Sequence, residues 1–414
     1  MIGRTPLGWQ EFNAPWAPAS TSREGRPKDD WGDRPVVTLL GDDLQLPPVM
    51  DVAPYNRTHR CPASNHGLTA HDAFDDAVVL TELMRQGAGD EHLRGVLTRL
   101  RTYESTNADI DWLMSLQVDK QPNRAWIEEK GLYLFPTHRE KNARNMAKLK
   151  EINAASAPVA SVRAHNSGAH AKKAKADEAG GLPEHSLFCR GARFMLTSGI
   201  CQEWGLYNGA IGEIVDIVYR QGERPPRFLP AVVFVEFKSY CGPAYVDERP
   251  KIVPIAPVER QCDCTCRPPC TRTMIPGHLA WGITLHKSQG LTVGPGCDSE
   301  CVVVHPPAPG FEARSPGGNY MGISRAKTAG RGEHGADGFV PSALYIQPLV
   351  CRERLAVKVS NDTTKGRQAQ ADRILELAAA TKLRNPGLID QYEDLVRWAQ
   401  TPLSPGVIAS LFRP

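Results

Sequence analysis

The chain has no apolar stretch approaching the ~18 residues that a membrane-crossing helix requires, and its opening MIGRTPLGWQ lacks the apolar core of a secretory signal. Eleven cysteines in 414 residues fall far short of a disulfide-stapled secreted scaffold. A soluble intracellular protein is therefore expected. The net charge is only +3, too mild for composition to announce a nucleic-acid binder, so such a reading has to come from motifs. One dipeptide is also missing, for Gly-Lys occurs nowhere in the sequence. That leaves no loop ending in Gly-Lys-Ser/Thr, the turn whose backbone N–H groups and lysine hold phosphates while its hydroxyl holds Mg²⁺.

What is present is ordinary globular material. Hydrophobic residues are 41% and charged residues 23%, which excludes a wholly disordered chain and a fibrous repeat. The length suits two or three domains. The 36 glycines and 34 prolines make up about 17% of the chain where about 12% is usual, so many turns are expected.

Residues 1–35 show no sustained period and read as an irregular lead-in. Val36–Leu40 predicts a buried parallel strand running into Gly41-Asp42, and Ala77–Leu83 a second β-like run. Leu93, Val96, Leu97 and Leu100 fall at helical spacing within 91–103. Leu132–Phe135 predicts a buried strand followed by a helix with a basic side of Arg139, Lys141, Arg144, Lys148 and Lys150. Residues 154–181, rich in Ala, Gly, Ser, His and Lys, read as a flexible excursion. Short β runs at 192–197, 211–219 and 231–237, with an Asn208-Gly209 turn, suggest a small inserted barrel. The runs at 279–285 and 301–304 restore the α/β pattern, and 368–383 and 388–400 predict two amphipathic helices.

Four strings carry chemistry. Gly41-Asp42-Asp43-Leu44-Gln45-Leu46-Pro47-Pro48-Val49 sets an acceptor and an amide on a proline-stiffened loop after a strand, where α/β folds bind ligands. Leu83-Met84-Arg85-Gln86 offers an arginine that can clamp phosphate or serve as an ordinary surface residue. In the run from Leu279 to Thr292 an apolar strand breaks into Thr284, His286, Lys287, Ser288 and Gln289, a row of donors suited to phosphate oxygens, with Gly290 allowing close backbone approach. The stretch Asn319–Lys327 is read as a short helix presenting Arg325, a residue fit to meet a γ-phosphate as an arginine finger. His286 is read as a hydrogen-bonding positioner rather than a general base.

In this order the strings resemble motifs III, IV, V and VI of the petite-integration-frequency family of superfamily-one DNA helicases, relatives of RecD and Dda. The segment 191–219 resembles that family's SH3-like insertion, 132–145 resembles the opening of its second motor lobe, and the likeness spans roughly 36–330. The resemblance implies an α/β fold with a RecA-like lobe of the P-loop NTPase type, an SH3-like β-barrel insertion and a truncated first lobe. It implies an ATP-dependent 5′ to 3′ DNA helicase, an ATP hydrolase using ATP and Mg²⁺ on single-stranded DNA, with roles in DNA repair, recombination and telomere maintenance. In a eukaryote it implies the nucleus or the mitochondrion. By the same likeness Gln45, Arg85 and Arg325 act on the γ-phosphate, and Asp42, Gln289 and Gly290 lie near the nucleotide. Thr137, Arg139, Thr284, His286, Lys287 and Ser288 face DNA.

The implied organisation is a lead-in (1–35), a remnant of the first lobe (36–76), a second lobe (77–190 and 271–350), an insertion with a Cys/Pro loop (191–270) and a helical tail (351–414). The departure from the family is the missing phosphate cradle, together with the lack of an apolar strand ending in Asp-Glu before Gly41; Asp247-Glu248 lies on the wrong side of the series. A truncated helicase, inactive alone, is therefore expected. The other reading is a non-catalytic DNA-binding remnant or regulator, or a fragment of a transposon-type helicase. Two further features stay open. Cys262, Cys264, Cys266 and Cys270 form either a reduced loop or a zinc site, although Cys-x-Cys spacing is cramped for zinc. The run 163–175 is either a solvated insert, a phosphate-binding patch or an import signal.

Overall fold

The computed structural model describes residues 38–47, 62–80, 83–87, 89–154, 158–264, 266, 268–330 and 342–384. The lead-in 1–35, Val36, Val37, Pro48, Val49 and the helix expected at 388–400 lie outside the described residues. The chain divides into two compact units, one built mainly from 83–359 with Leu44–Leu46, the other from the flanking segments up to Glu82 and from Ser360 on.

In the first unit, Gly131–Phe135 is buried at all five positions, as expected of an apolar run with both sheet faces covered. It is one of the two inner strands of a parallel four-stranded sheet ordered Gly282–Thr284, Gly131–Phe135, Cys301–Val304, Leu344–Ile346. One face packs Leu132, Leu134, Ile283, Val302, Val304 and Leu344 against Leu93, Val96, Leu97 and Leu100, the four apolar positions of helix Glu91–Thr102. The other face packs Tyr133, Phe135, Val303 and Tyr345 with Val118 and Ile127. Period-2 alternation along each strand thus feeds two separate cores.

The strand is followed by helix His138–Ala154. Thr137 starts it, its hydroxyl accepting from Glu140 N–H (3.3 Å) and donating to the Glu140 carboxylate (2.5 Å), a side-chain cap on an orphan donor. Asn145 fixes the helix to the neighbouring strand, accepting from Gly282 N–H at 2.7 Å and donating to the carbonyls of Gly282 (3.0 Å) and Leu279 (3.2 Å).

The inserted β structure is a five-stranded antiparallel sheet ordered Gly277–Leu279, Arg193–Leu196, Ile211–Val218, Val232–Phe237, Ile252–Ile255. It extends beyond the three expected strands, since Gly277–Leu279 returns from the far side of the Cys/Pro loop to pair with Arg193–Leu196. Its core includes Phe194, Leu196, Ile214, Val233, Val235 and Phe237.

Three expectations need correction. Residues 154–181 are not simply a flexible excursion: Ala160–Arg163 pairs with His185–Phe188, His165–Asn166 pairs with Thr271–Met274, and Ala169–Lys173 is helical. The anchor is Arg272, a remote, fully buried side chain that donates to Asn166 Oδ1 (3.0 Å) and to the carbonyls of Leu182 (2.9 Å) and Ala174 (2.8 Å). Thr38–Leu40 form no strand, and Leu40 is 83% exposed. Within 77–83 the described residues are irregular, with Val78, Val79, Leu80 and Leu83 exposed. Their β-type composition meets no partner strand among the described residues. Instead, in the second unit, Ala77 N–H donates to Thr381 Oγ1 (2.9 Å) of helix Asn361–Arg384, which contains the helix expected at 368–383. That helix also holds Asp72 through Arg373 (3.2 Å) and Asp76 through Arg384 (2.8 Å). No helix among the described residues is long and apolar enough to cross a membrane.

Candidate nucleotide and nucleic-acid site

Parallel strands release their following loops at one edge of the sheet, where α/β folds bind ligands. Phe135 lies opposite Thr284, so the Thr137 turn and the 285–290 loop leave that edge side by side. The loop makes one 3-10 turn over His286–Ser288. Its backbone is set by Thr284, whose hydroxyl accepts from Lys287 N–H (3.3 Å), and by Ser288, which is buried and donates to the Leu285 carbonyl (2.7 Å). Ser288 and Thr284 therefore shape the loop from within, while Thr137 and Arg139 are exposed.

The electrostatics of this edge are one-sided. Lys141 and Lys287 are both pulled below the usual ammonium range by desolvation. His286 is pulled down by burial and then by His138, and His138 by desolvation and then by Lys141. His278 is pushed down to about 4, by burial first and by the charges of Lys141 and Lys287. Desolvation thus weakens the hold on protons of five basic side chains from three segments, and the three histidines lose more to their basic neighbours. Asp177 opposes them, raising His138 and Lys287. Lys287 Nζ donates to Asn208 Oδ1 (2.6 Å) in the Asn208-Gly209 turn of the inserted sheet. His286 Nε2 is buried with no hydrogen-bond partner. Low proton affinity without carboxylates in proportion is the signature of a site that gains by meeting an anion.

The sequence reading missed His278, Asn208 and Asp177 here. Only the Asn208-Gly209 turn left a signal, and it spoke of shape rather than contact. Two further members of the basic helix side are engaged elsewhere: Arg144 stacks 3.8 Å over the Tyr133 ring and pairs with Glu128 (2.9 Å), and Lys148 pairs with Glu151 (2.8 Å).

A second grouping joins the strings around Gln45, Arg85 and Arg325. Gln289 Nε2 lies 3.5 Å from Gln45 Oε1. Arg85, partly desolvated, donates to Thr292 Oγ1 (3.1 Å) and to the Ser324 carbonyl (2.9 Å). Gln86 donates to the carbonyls of Ser324 (3.3 Å) and Ala326 (2.8 Å). Helix Gly318–Ile323 forms as expected, but Arg325 beyond it is 2% exposed and donates to the Met321 carbonyl (3.0 Å) and Ser324 Oγ (2.9 Å). Its guanidinium also donates to the Leu291 carbonyl (3.4 Å), so it is held by the backbone and a hydroxyl around it. Gly317, with φ +102°, starts the helix against the backbone of Leu44 and Gln45, where any Cβ would come within 2.9 Å of Leu44 O. Buried Glu312 accepts from Tyr103 Oη (2.7 Å) and Gly317 N–H (3.0 Å), fixing the same corner. Gly290 is exposed with φ +85°. Asp42 is half-buried in the second unit.

Of the four clustered cysteines, Cys264, Cys266 and Cys270 bring their sulfurs within 4.8 Å of one another, and Cys262 stands apart from that group.

No protein-family model matches the chain. The ATP-dependent DNA helicase PIF1 of Danio rerio is 33% identical over 138 residues, covering 33% of this chain and 17% of that protein. The likeness therefore spans only a small share of that relative. Among solved structures, the Pif1 helicase from Candida albicans superposes with a TM-score of 0.55 at 19% identity, over 80% of this chain and 67% of that one. The Pif1 helicase from Bacteroides in complex with ADP-AlF3 and ssDNA covers 80% of this chain and 66% of its own, with a TM-score of 0.49 and 18% identity. The four-stranded parallel sheet is a RecA-like lobe, and in both sequence and fold the chain resembles the Pif1 helicases.

Proposed function

We propose that this chain is the nucleic-acid-gripping lobe of an ATP-dependent 5′ to 3′ DNA helicase of the Pif1 type, and that it holds single-stranded DNA at the carboxyl edge of its parallel sheet. The observation that carries the reading is the convergence of His138, Lys141, His278, His286 and Lys287 with one opposing carboxylate, Asp177. A phosphate placed there would supply the two lysines with the charge stabilisation that loss of water has removed. Arg139 flanks the edge with an exposed guanidinium, and exposed Thr137 caps the helix that carries it. Thr284 and Ser288 act on DNA through the loop they hold.

The test is a salt titration of single-stranded DNA binding. Each phosphate contact contributes about −0.7 to the slope of log K against log salt. Lys141→Ala and Lys287→Ala should each make the slope shallower by about 0.7 and weaken binding at low salt. Slopes equal to that of the unaltered chain would overturn the assignment.

Gln45, Gln289, Arg85 and Arg325 fit the γ-phosphate end of a nucleotide by chemical type, but no Gly-Lys-Ser/Thr occurs among the 414 residues to hold the inner phosphate and Mg²⁺. The residues present do not complete a Mg-ATP site, and no step is derived through one. This favours, as a second reading, DNA binding by this chain without ATP turnover of its own.

A further inference from the structure

The Cys/Pro loop is the tip of a hairpin. Strands Val258–Gln261 and Thr271–Met274 pair antiparallel, and Cys262 N–H donates to the Cys270 carbonyl at 2.8 Å, closing the base of the loop. Above that bond the chain turns back, so Cys264 and Cys266 come over Cys270 with all three sulfurs within 4.8 Å of one another. Four-coordinate zinc has Zn–S bonds of about 2.3 Å, which in tetrahedral geometry sets sulfurs about 3.8 Å apart. Less than about 1 Å of closure separates the two arrangements. Cys-x-Cys spacing is cramped on an extended strand, but the chain is bent at Asp263 and Cys264, and the three sulfurs are already close together.

A second observation concerns what surrounds the thiols. The local core consists of Ala171, Ala174, Ala179, Cys262 and Cys270, with Cys264 and Cys266 packed against it. Its apolar members are alanines and cysteines alone, and the one large side chain beside them is the buried guanidinium of Arg272. So little apolar surface is weak support for a small sub-structure, and proteins in this position use disulfides or metals.

We propose that Cys264, Cys266 and Cys270 bind one Zn²⁺ ion, with solvent as the fourth ligand, and that the ion closes the hairpin tip whose cysteines pack against Ala171, Ala174 and Ala179. Three thiolates select a soft or borderline metal over Mg²⁺ or Ca²⁺. Cys264 and Cys266 are half-exposed, which leaves the fourth position open to water. Cys262, buried beneath the loop and outside the sulfur cluster, is a packing residue.

The experiment uses the full 414-residue chain, reduced and stripped of metal by a chelator, then titrated with Co²⁺. A thiolate-to-cobalt charge-transfer band should grow to saturation at about one equivalent and disappear on adding Zn²⁺. Cys264→Ser, Cys266→Ser and Cys270→Ser should each weaken binding at least about tenfold, while Cys262→Ser should leave it within about threefold. Independently of any variant, Zn²⁺ should protect three thiols of the unaltered chain from alkylation, mapped by mass spectrometry to positions 264, 266 and 270. Absence of a saturable band together with absence of protection overturns the site. Loss of binding in folded Cys262→Ser equal to that of the other three overturns the ligand set.

Discussion

At the scale of single residues, two side chains make the folded state sensitive to acid by opposite routes. Burial and the charges of Lys141 and Lys287 push His278 down to about 4, whereas an unfolded histidine protonates near 6.5. The unfolded chain therefore takes up a proton that the folded chain refuses, and stability falls as pH drops from about 6.5 toward 4. Asp109 is buried and receives two hydrogen bonds from Arg99, at 2.6 and 2.7 Å, and one from Thr106 N–H at 2.8 Å. Arg99 first, and Thr106 after it, hold its carboxyl well below the usual range. Its contribution is present above the unfolded value near 4 and is lost as pH falls below that. Urea unfolding at pH 7, 5 and 3.5 should resolve the two. His278→Gln should remove roughly 2 kcal/mol of the loss between pH 6.5 and 4 and leave the lower limb unchanged. Asp109→Asn should destabilise the chain at pH 7 and flatten the lower limb. Neither residue stood out in the sequence, because His278 owes its shift to burial and to lysines of two other segments, and Asp109 chiefly to Arg99 of the preceding helix. The loop residues Thr284, His286 and Ser288 were legible as a group of donors, yet the direction of Ser288 was not, since it is decided by a bond to its own Leu285 carbonyl.

At the scale of elements, legibility followed burial. Leu132–Phe135 and Cys301–Val304 were readable as strands because both faces of the parallel sheet are covered and the runs are uniformly apolar. Ala77–Leu83 has the same texture, and no strand forms among its described residues, because a strand also requires a neighbour, which composition does not encode. The 154–181 segment failed in the other direction. Its small and polar residues promise no core, and its order depends on Arg272, about a hundred positions later, whose guanidinium gathers carbonyls from Leu182 and Ala174. Arg272→Leu should therefore leave those buried acceptors unpaired, at a cost on the order of 3 kcal/mol. Limited proteolysis should then cut within 160–184 while the Gly131–Phe135 sheet stays protected. Equal protection of both regions would mean that the segment is held by something other than this arginine.

At the scale of the whole molecule, the motif series was legible in order but not in allegiance. Gln45 belongs with the 83–359 unit and Asp42, three residues earlier, with the other, so the string that reads as one motif is shared between two bodies. Arg85 and Arg325, legible as phosphate clamps, spend hydrogen bonds on the carbonyls of Ser324 and Met321. Either would have to surrender those bonds to reach a γ-phosphate, and a buried guanidinium gives them up only for a stronger acceptor held in place. Holding a nucleotide in place is the task of a phosphate-binding loop, and the 414 residues contain no Gly-Lys pair to build one. ATP hydrolysis by this chain in the presence of single-stranded DNA should consequently stay at the level of a no-enzyme control and should not change in Arg325→Ala. Single-stranded DNA binding should persist in the same preparation and keep its salt dependence. Robust turnover abolished by Arg325→Ala would mean instead that the buried arginine rotates out to a nucleotide held by other residues of the chain, and the reading of this lobe as a DNA grip without its own ATP turnover would fall.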